Sequence, residues 1–190
     1  MKRAMLVGLL ASLAVSSGCL GTIAKQAYYG ATGASGRYFE IRDLGSSNSL
    51  DRFRSVQVEA FDPALLLGAI PADVVAAVQP DIIERLKRTG LFEEAGMNAS
   101  AKPTLIIRGK FMDYDPGSSA ARAVYGTDPT LTAEIELIDA ETHRTVGVAM
   151  VTGTVKSVVR ANPKELASGM SKAVKGLFAA HMTRKPKDED

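Results

Sequence analysis

The chain has 190 residues, 46% hydrophobic, 23% charged and 6% aromatic, which excludes wholesale disorder and leaves room for one domain with accessory segments rather than two. Lys and Arg number 23 against 21 Asp and Glu, but Lys2 and Arg3 supply the excess and the remainder is formally balanced, so the charge is no argument for a nucleic-acid partner. A single cysteine excludes a disulfide framework and any multi-cysteine zinc site.

Met1 to Arg3 form a short positive segment, and Ala4 to Val15 carry no charge. As a helix that apolar run would span roughly 18 Å, short of the ~30 Å hydrocarbon layer, so a cleaved secretory signal is the better reading. Small residues, Ser16, Ser17 and Gly18, then precede Cys19. Residues 1–19 resemble a bacterial lipoprotein signal ending in a lipobox. The resemblance implies cleavage before Cys19, a diacylglyceryl thioether on its sulfur and an acylated amino group. With Leu20 rather than Asp next, it further implies sorting to the outer membrane, facing the periplasm. Each buried methylene contributes about 0.8 kcal/mol, so two or more chains anchor stably. An ordinary secreted protein with an incidental free thiol is the competing reading.

Residues 19–52 read as the lipidated N-terminus and a tether, because Gly21, Gly30, Gly33, Gly36, Gly45 and the run Ser46 to Ser49 are poor helix and strand formers. Gly30, Gly33 and Gly36 lack the Gly-Lys-Ser/Thr ending of a phosphate loop. Arg37 to Ile41 is a candidate short strand. A single domain is expected over 53–182. Phe53 to Phe61 is β-rich and ends at Asp62-Pro63. Pro71 to Thr89 reads as a helix with Val74, Val75, Val78, Ile82, Ile83 and Leu86 on one stripe, Glu84, Arg85, Lys87 and Arg88 on the wet side, and Gly90 as a left-handed stop. Pro80 removes a helical hydrogen bond and predicts a kink or a broken pair.

Three strands follow. Thr104 to Asp113 places Leu105, Ile107 and Phe111 opposite Arg108 and Lys110. Leu131, Ala133, Ile135 and Leu137 alternate with polar residues. Across the short Asp139–His143 turn, Arg144 to Val155 returns with Val146, Val148 and Met150 sharing a face. Asn162, Pro163 and Glu165 form a capping-box start for a last helix, with Leu166, Met170, Val174, Leu177 and Phe178 as its buried stripe. Thr183 to Asp190 is a charged tail expected to fray. The fold class is therefore α+β: a small, mostly antiparallel or mixed sheet with two amphipathic helices on one face, in the order β-α-β-β-β-α. The segments are 1–18 signal, 19–52 tether, 53–182 domain and 183–190 tail.

Asp81 to Phe92, Gly109 to Arg122 and Ala133 to Ala140 resemble motifs of a bacterial envelope lipoprotein family known as domain of unknown function 4410. The similarity runs from about Phe53 to Phe178. It implies an envelope location and an α+β fold, and the family has no established activity. One departure is visible in Ala123 to Pro129, where a glycine-rich stretch is expected.

Few residues suggest chemistry. His143 falls in a polar turn and His181 near the last helix end, both read as surface residues without a second metal ligand nearby. No Gly-x-Ser-x-Gly elbow supports a serine triad. Asp113, Asp115 and Gly117 begin like a calcium loop, but Val124 stands where the bidentate Glu is needed. Asn98-Ala-Ser100 is a chance glycosylation tripeptide. The loop 116–128 is long for a hairpin, and Arg122 and Tyr125 in it are residue types found at interface hot spots. The expectation is no catalytic residue, no metal and no cofactor. The chain would be a non-enzymatic lipoprotein that binds an envelope protein or cell-wall component through Arg122 and Tyr125, or self-associates through sheet edges. The alternative is a soluble carrier of a small apolar ligand held between sheet and helices; an envelope hydrolase ranks last.

Overall fold

In the computed structural model, which describes residues 33–45, 48–63, 69–117, 128–156 and 162–186, the strongest period-two run forms the middle of a sheet. Strands β1 (Ala34–Arg42), β2 (Ser55–Val58), β3 (Glu94–Gly96), β4 (Thr104–Asp115), β5 (Thr130–Asp139) and β6 (Arg144–Val155) pair in the order β1-β6-β5-β4-β2-β3. The neighbours β4 and β5, β5 and β6, and β6 and β1 pair antiparallel, whereas β2 lies parallel to both β4 and β3. That parallel pairing requires a crossover, which helix α1 (Ala72–Thr89) supplies; helix α2 (Pro163–His181) follows β6. α1 and α2 pack on each other, α2 across β1 and β6, α1 beside β2 and β3. The fold class is α+β with a mixed sheet under two helices.

The inward row of β5, Leu131, Ala133, Ile135 and Leu137, is completely buried, as its alternation predicts. So are Leu105, Ile107 and Phe111 of β4 and the stripe Met170, Val174, Leu177 and Phe178 of α2. Each such side chain contributes about 1.5–3 kcal/mol. α2 starts as predicted: the Asn162 side chain accepts from Lys164 N at 3.0 Å and Glu165 reaches back to Asn162 N. α1 ends at Gly90, whose φ of 64° no β-carbon opposes.

Several expectations need correction. β1 lies inside the stretch 19–52 read as a tether, and Leu44 and Leu50 beyond it are buried. Its glycine is a packing contact rather than a sign of slack: a β-carbon on Gly36 would sit 2.2 Å from Gly169 O and 2.3 Å from Ala173 N of α2. The covered face of β6 carries Ala149, Val151, Gly153 and Val155, so Val148 and Met150 lie on the half-open outer side, while Val146, at a register shift against β5, packs on the core. Small residues win the inward face because α2 approaches there backbone to backbone. α1 runs unbroken through Pro80, which faces solvent while Val78 and Ile82 on the buried side stay in register; Gln79 Nε2 donates to Val58 O at 2.8 Å and ties the helix to β2.

Arg85 is buried, not wet: its Nε donates to Ser171 Oγ at 2.7 Å and its guanidinium reaches Ser168, while Ser171 also donates to Asp81. His181 is buried as well, with Nε2 2.8 Å from Glu40 Oε1. The tail beyond it is held at its start, because Met182 is buried, Thr183 hydrogen-bonds Asp51, and Arg184 donates to Leu91 O and Asp51 O.

Candidate partner-binding cleft

Because β2, β4 and β6 run the same way, their C-terminal ends share one pole of the sheet. Both helices return from that pole, so the N-termini of α1 and α2 lie side by side there. Between them is a cleft of about 610 Å³, lined by Ala69, Pro71, Asp73 and Val74 at the entry to α1, Tyr114 and Pro116 at the end of β4, and Pro163 and Leu166 at the start of α2. Three prolines fix φ around the rim. Val74 and Leu166 are the buried ends of the two helical stripes and form an apolar floor.

The carboxylates nearby are already engaged by backbone amides. Asp73 Oδ1 accepts from Val74 N at 3.0 Å, and Asp115 Oδ1 accepts from Gly117 N at 2.7 Å. Asp73 apart, the lining of proline, alanine, valine, leucine and one tyrosine suits shape and apolar contact.

Cys19, Arg122 and Tyr125 all lie outside the described residues. The frame of the second pair is nevertheless visible. Pro116 lines the cleft, and a β-carbon on Gly117 would lie 3.1 Å from the Pro129 ring, so the loop leaves β4 and re-enters β5 at one point on the rim. The Asp113–Gly117 segment is the strand end and turn that the sequence suggested, and among the described residues no group of three or more His, Cys, Asp or Glu could hold a metal ion. Ser100 of the glycosylation-like tripeptide is bound to Glu94 through both its amide and its hydroxyl.

At the opposite pole several charged groups serve structure. Arg54 makes a two-pronged pair with Glu93 at 2.9 and 2.6 Å, which raises the guanidinium and lowers the carboxyl from their ordinary values. The Thr183 hydroxyl holds Asp51 low, and the amides of Ser100 and Ala101 hold Glu94 low. Burial pushes Asp139 up, but the amides of Thr142 and Glu141 and the Arg52 charge outweigh it, so the net displacement is downward. His143 is exposed in the β5–β6 turn with φ of 55°. Sequence reasoning missed the cleft because its walls come from three separate segments, none unusual alone. The one available signal was two proline-initiated helices, at Pro71 and Pro163, in a fold that makes them parallel.

A family model described as a domain of unknown function, DUF4410, matches residues 52–158. No curated protein matches the chain. Among solved structures, a PelC dodecamer from Paraburkholderia phytofirmans that carries a single leucine-to-methionine substitution is 12% identical, over 80% of this chain and 99% of that one, with a TM-score of 0.49. A second PelC dodecamer from the same organism is 13% identical over the same shares, with a TM-score of 0.46. XCC0632 from Xanthomonas campestris, of family DUF330, is 8% identical over 72% of this chain and 88% of that one, with a TM-score of 0.41. Among the described residues no helix is long and apolar enough to cross a membrane.

Proposed function

The chain belongs to the DUF4410 family, and from that premise we propose that it is a non-enzymatic lipoprotein. Acyl chains on Cys19 would hold it at the outer membrane facing the periplasm, where it binds or positions another envelope component at the cleft. One observation carries the reading: the only cysteine of the chain stands directly after a short signal-like segment. β1 opens at Ala34, so only the run 20–33 separates that sulfur from the sheet. Fully extended, such a run reaches ~50 Å, enough to set the domain clear of lipid headgroups.

Support for the cleft as the binding place is its position. Both helix N-termini, the rigid proline rim and the two ends of the Arg122–Tyr125 loop meet there. Radiolabelled fatty acid incorporated by the parent and lost in Cys19→Ala tests the anchor. Crosslinking in intact cells, compared between the parent and an Arg122→Ala, Tyr125→Ala double variant, tests the loop; an unchanged partner set removes it from the site.

A second reading, a carrier of a small apolar ligand, rests on the cleft volume of about 610 Å³, which falls in the range of small-molecule sites. The space between sheet and helices, where such a ligand was expected, is filled by Val56, Ile107, Ile135, Ala167 and Val174, all at 0% exposure. Native mass spectrometry of the purified protein decides between the readings, since a carrier retains its ligand and a docking protein does not.

A further inference from the structure

The two edges of the sheet are built differently. At one end β3 has three residues, too short to template another chain. At the other end β1 has nine, with β6 on one side and, among the described residues, no strand on the other. Of the usual protections of an exposed edge, β1 lacks proline and lysine; its Glu40 turns inward to His181 and Leu44 N, and its bulge lies at the far end, between Glu40 and Arg42, which leaves the run up to Glu40 regular. Its outer face instead shows Phe39, 72% exposed, and Ile41, 53% exposed, beside Met150 and Val148 of β6.

We propose that β1 pairs antiparallel with β1 of a second copy about a twofold axis at Tyr38, joining the two sheets into one. This deepens the reading of the protein as an envelope binding module by naming one partner as the chain itself. Tyr38 is the midpoint of the strand, and this register pairs the regular stretch Gly36 to Glu40 with itself, inside the bulge between Glu40 and Arg42. It sets Arg37 of each copy directly across from Phe39 of the other on the outer face, giving two cation–aromatic contacts, and brings the half-exposed Tyr38 rings together on the helix side. A slip by one residue would put the helices of the two copies on opposite faces. Edge pairing leaves the outer face open and covers only the flank of each Phe39, so the contact, made of the backbone ladder, Tyr38, Arg37 and Phe39, is smaller than a standard interface. Anchoring both copies in one bilayer raises their effective concentration and favours so small a contact. That last point rests on the acylation of Cys19; the strand pairing does not.

Oxidative crosslinking of the full chain in isolated membranes tests the inference. Residues facing each other across an antiparallel pair have α-carbons ~4.5–5.5 Å apart, within disulfide range. Tyr38→Cys is expected to give a covalent dimer on mild oxidation, while Lys87→Cys on the exposed side of α1 stays monomeric. Adding Phe39→Lys to Tyr38→Cys reduces the dimer roughly tenfold or more without lowering the melting temperature, because the ammonium stands directly across from Arg37 of the other copy only in the dimer. A monomeric Tyr38→Cys chain, or equal crosslinking of Lys87→Cys, overturns the proposal. A crosslinked parent chain would mean that Cys19 is free and the anchor reading wrong. The same comparison is then made in a Cys19→Ser background, where the two outcomes keep their meaning.

Discussion

Replacing either of two glycines in α2 by alanine should move stability in opposite directions. In a helix interior the exchange is worth about 1 kcal/mol in favour of alanine. At Gly176 the added β-carbon meets only the Tyr38 ring, at 3.5–3.6 Å, an ordinary contact, so the gain is kept. At Gly169 it lies 2.8 Å from Gly153 Cα, 2.8 Å from Ser35 O and 3.1 Å from Thr154 N. All three are backbone atoms, so no side chain can rotate away and the helix must lift off the sheet. Overpacking of this kind costs up to about 3 kcal/mol, which leaves a net loss of roughly 2 kcal/mol after the helical gain. For a chain of this size each kcal/mol shifts the midpoint by ~2–4 °C. Thermal unfolding followed by circular dichroism should therefore show Gly176→Ala melting ~2–4 °C above the parent and Gly169→Ala ~4–8 °C below it. A Gly169→Ala chain that melts at or above the parent refutes the backbone contact between α2, β1 and β6.

Ser171→Ala removes the acceptor of the buried Arg85 Nε and a donor to Asp81, and should destabilise by about 1–3 kcal/mol in urea unfolding; a loss below ~0.5 kcal/mol would place Arg85 in solvent. Asp139 has its carboxyl lowered in the folded state, so its contribution is complete above about pH 5 and is lost as pH falls through the ordinary value of 3.8 and below. Asp139→Asn should accordingly be less stable than the parent at about pH 7 and close to it at about pH 3, and a gap equal at both values contradicts the assignment. Asn162→Ala removes the cap of α2 and should cost about 1 kcal/mol, read as a melting shift of ~2–4 °C.

The elements that were legible in the sequence are those whose inward residues are large. β5 announces itself because Leu131, Ile135 and Leu137 alternate with Thr132, Glu134 and Glu136, and α2 because its cap residues and stripe agree. β1 reads only as Arg37–Ile41 because its helix-side row, Ala34, Gly36, Tyr38 and Glu40, holds no aliphatic residue larger than alanine, while Phe39 and Ile41 point outward. The same inversion hid the covered face of β6. Arg85 sits at a helical position that borders the apolar stripe, and only the presence of Ser168 and Ser171 on the facing helix makes its burial tolerable. No single-element pattern contains that information. The cleft was invisible for the same reason, being a product of the direction in which α1 and α2 return.

The central claim is that a lipid on Cys19 holds this domain at a membrane, and the N-terminal peptide of the mature protein tests it most directly. Trypsin should release Cys19–Lys25, and mass spectrometry should find it carrying a diacylglyceryl group and an amide-linked acyl chain. A mature chain that begins elsewhere, or a Cys19 that is recovered with an alkylatable thiol, contradicts the account.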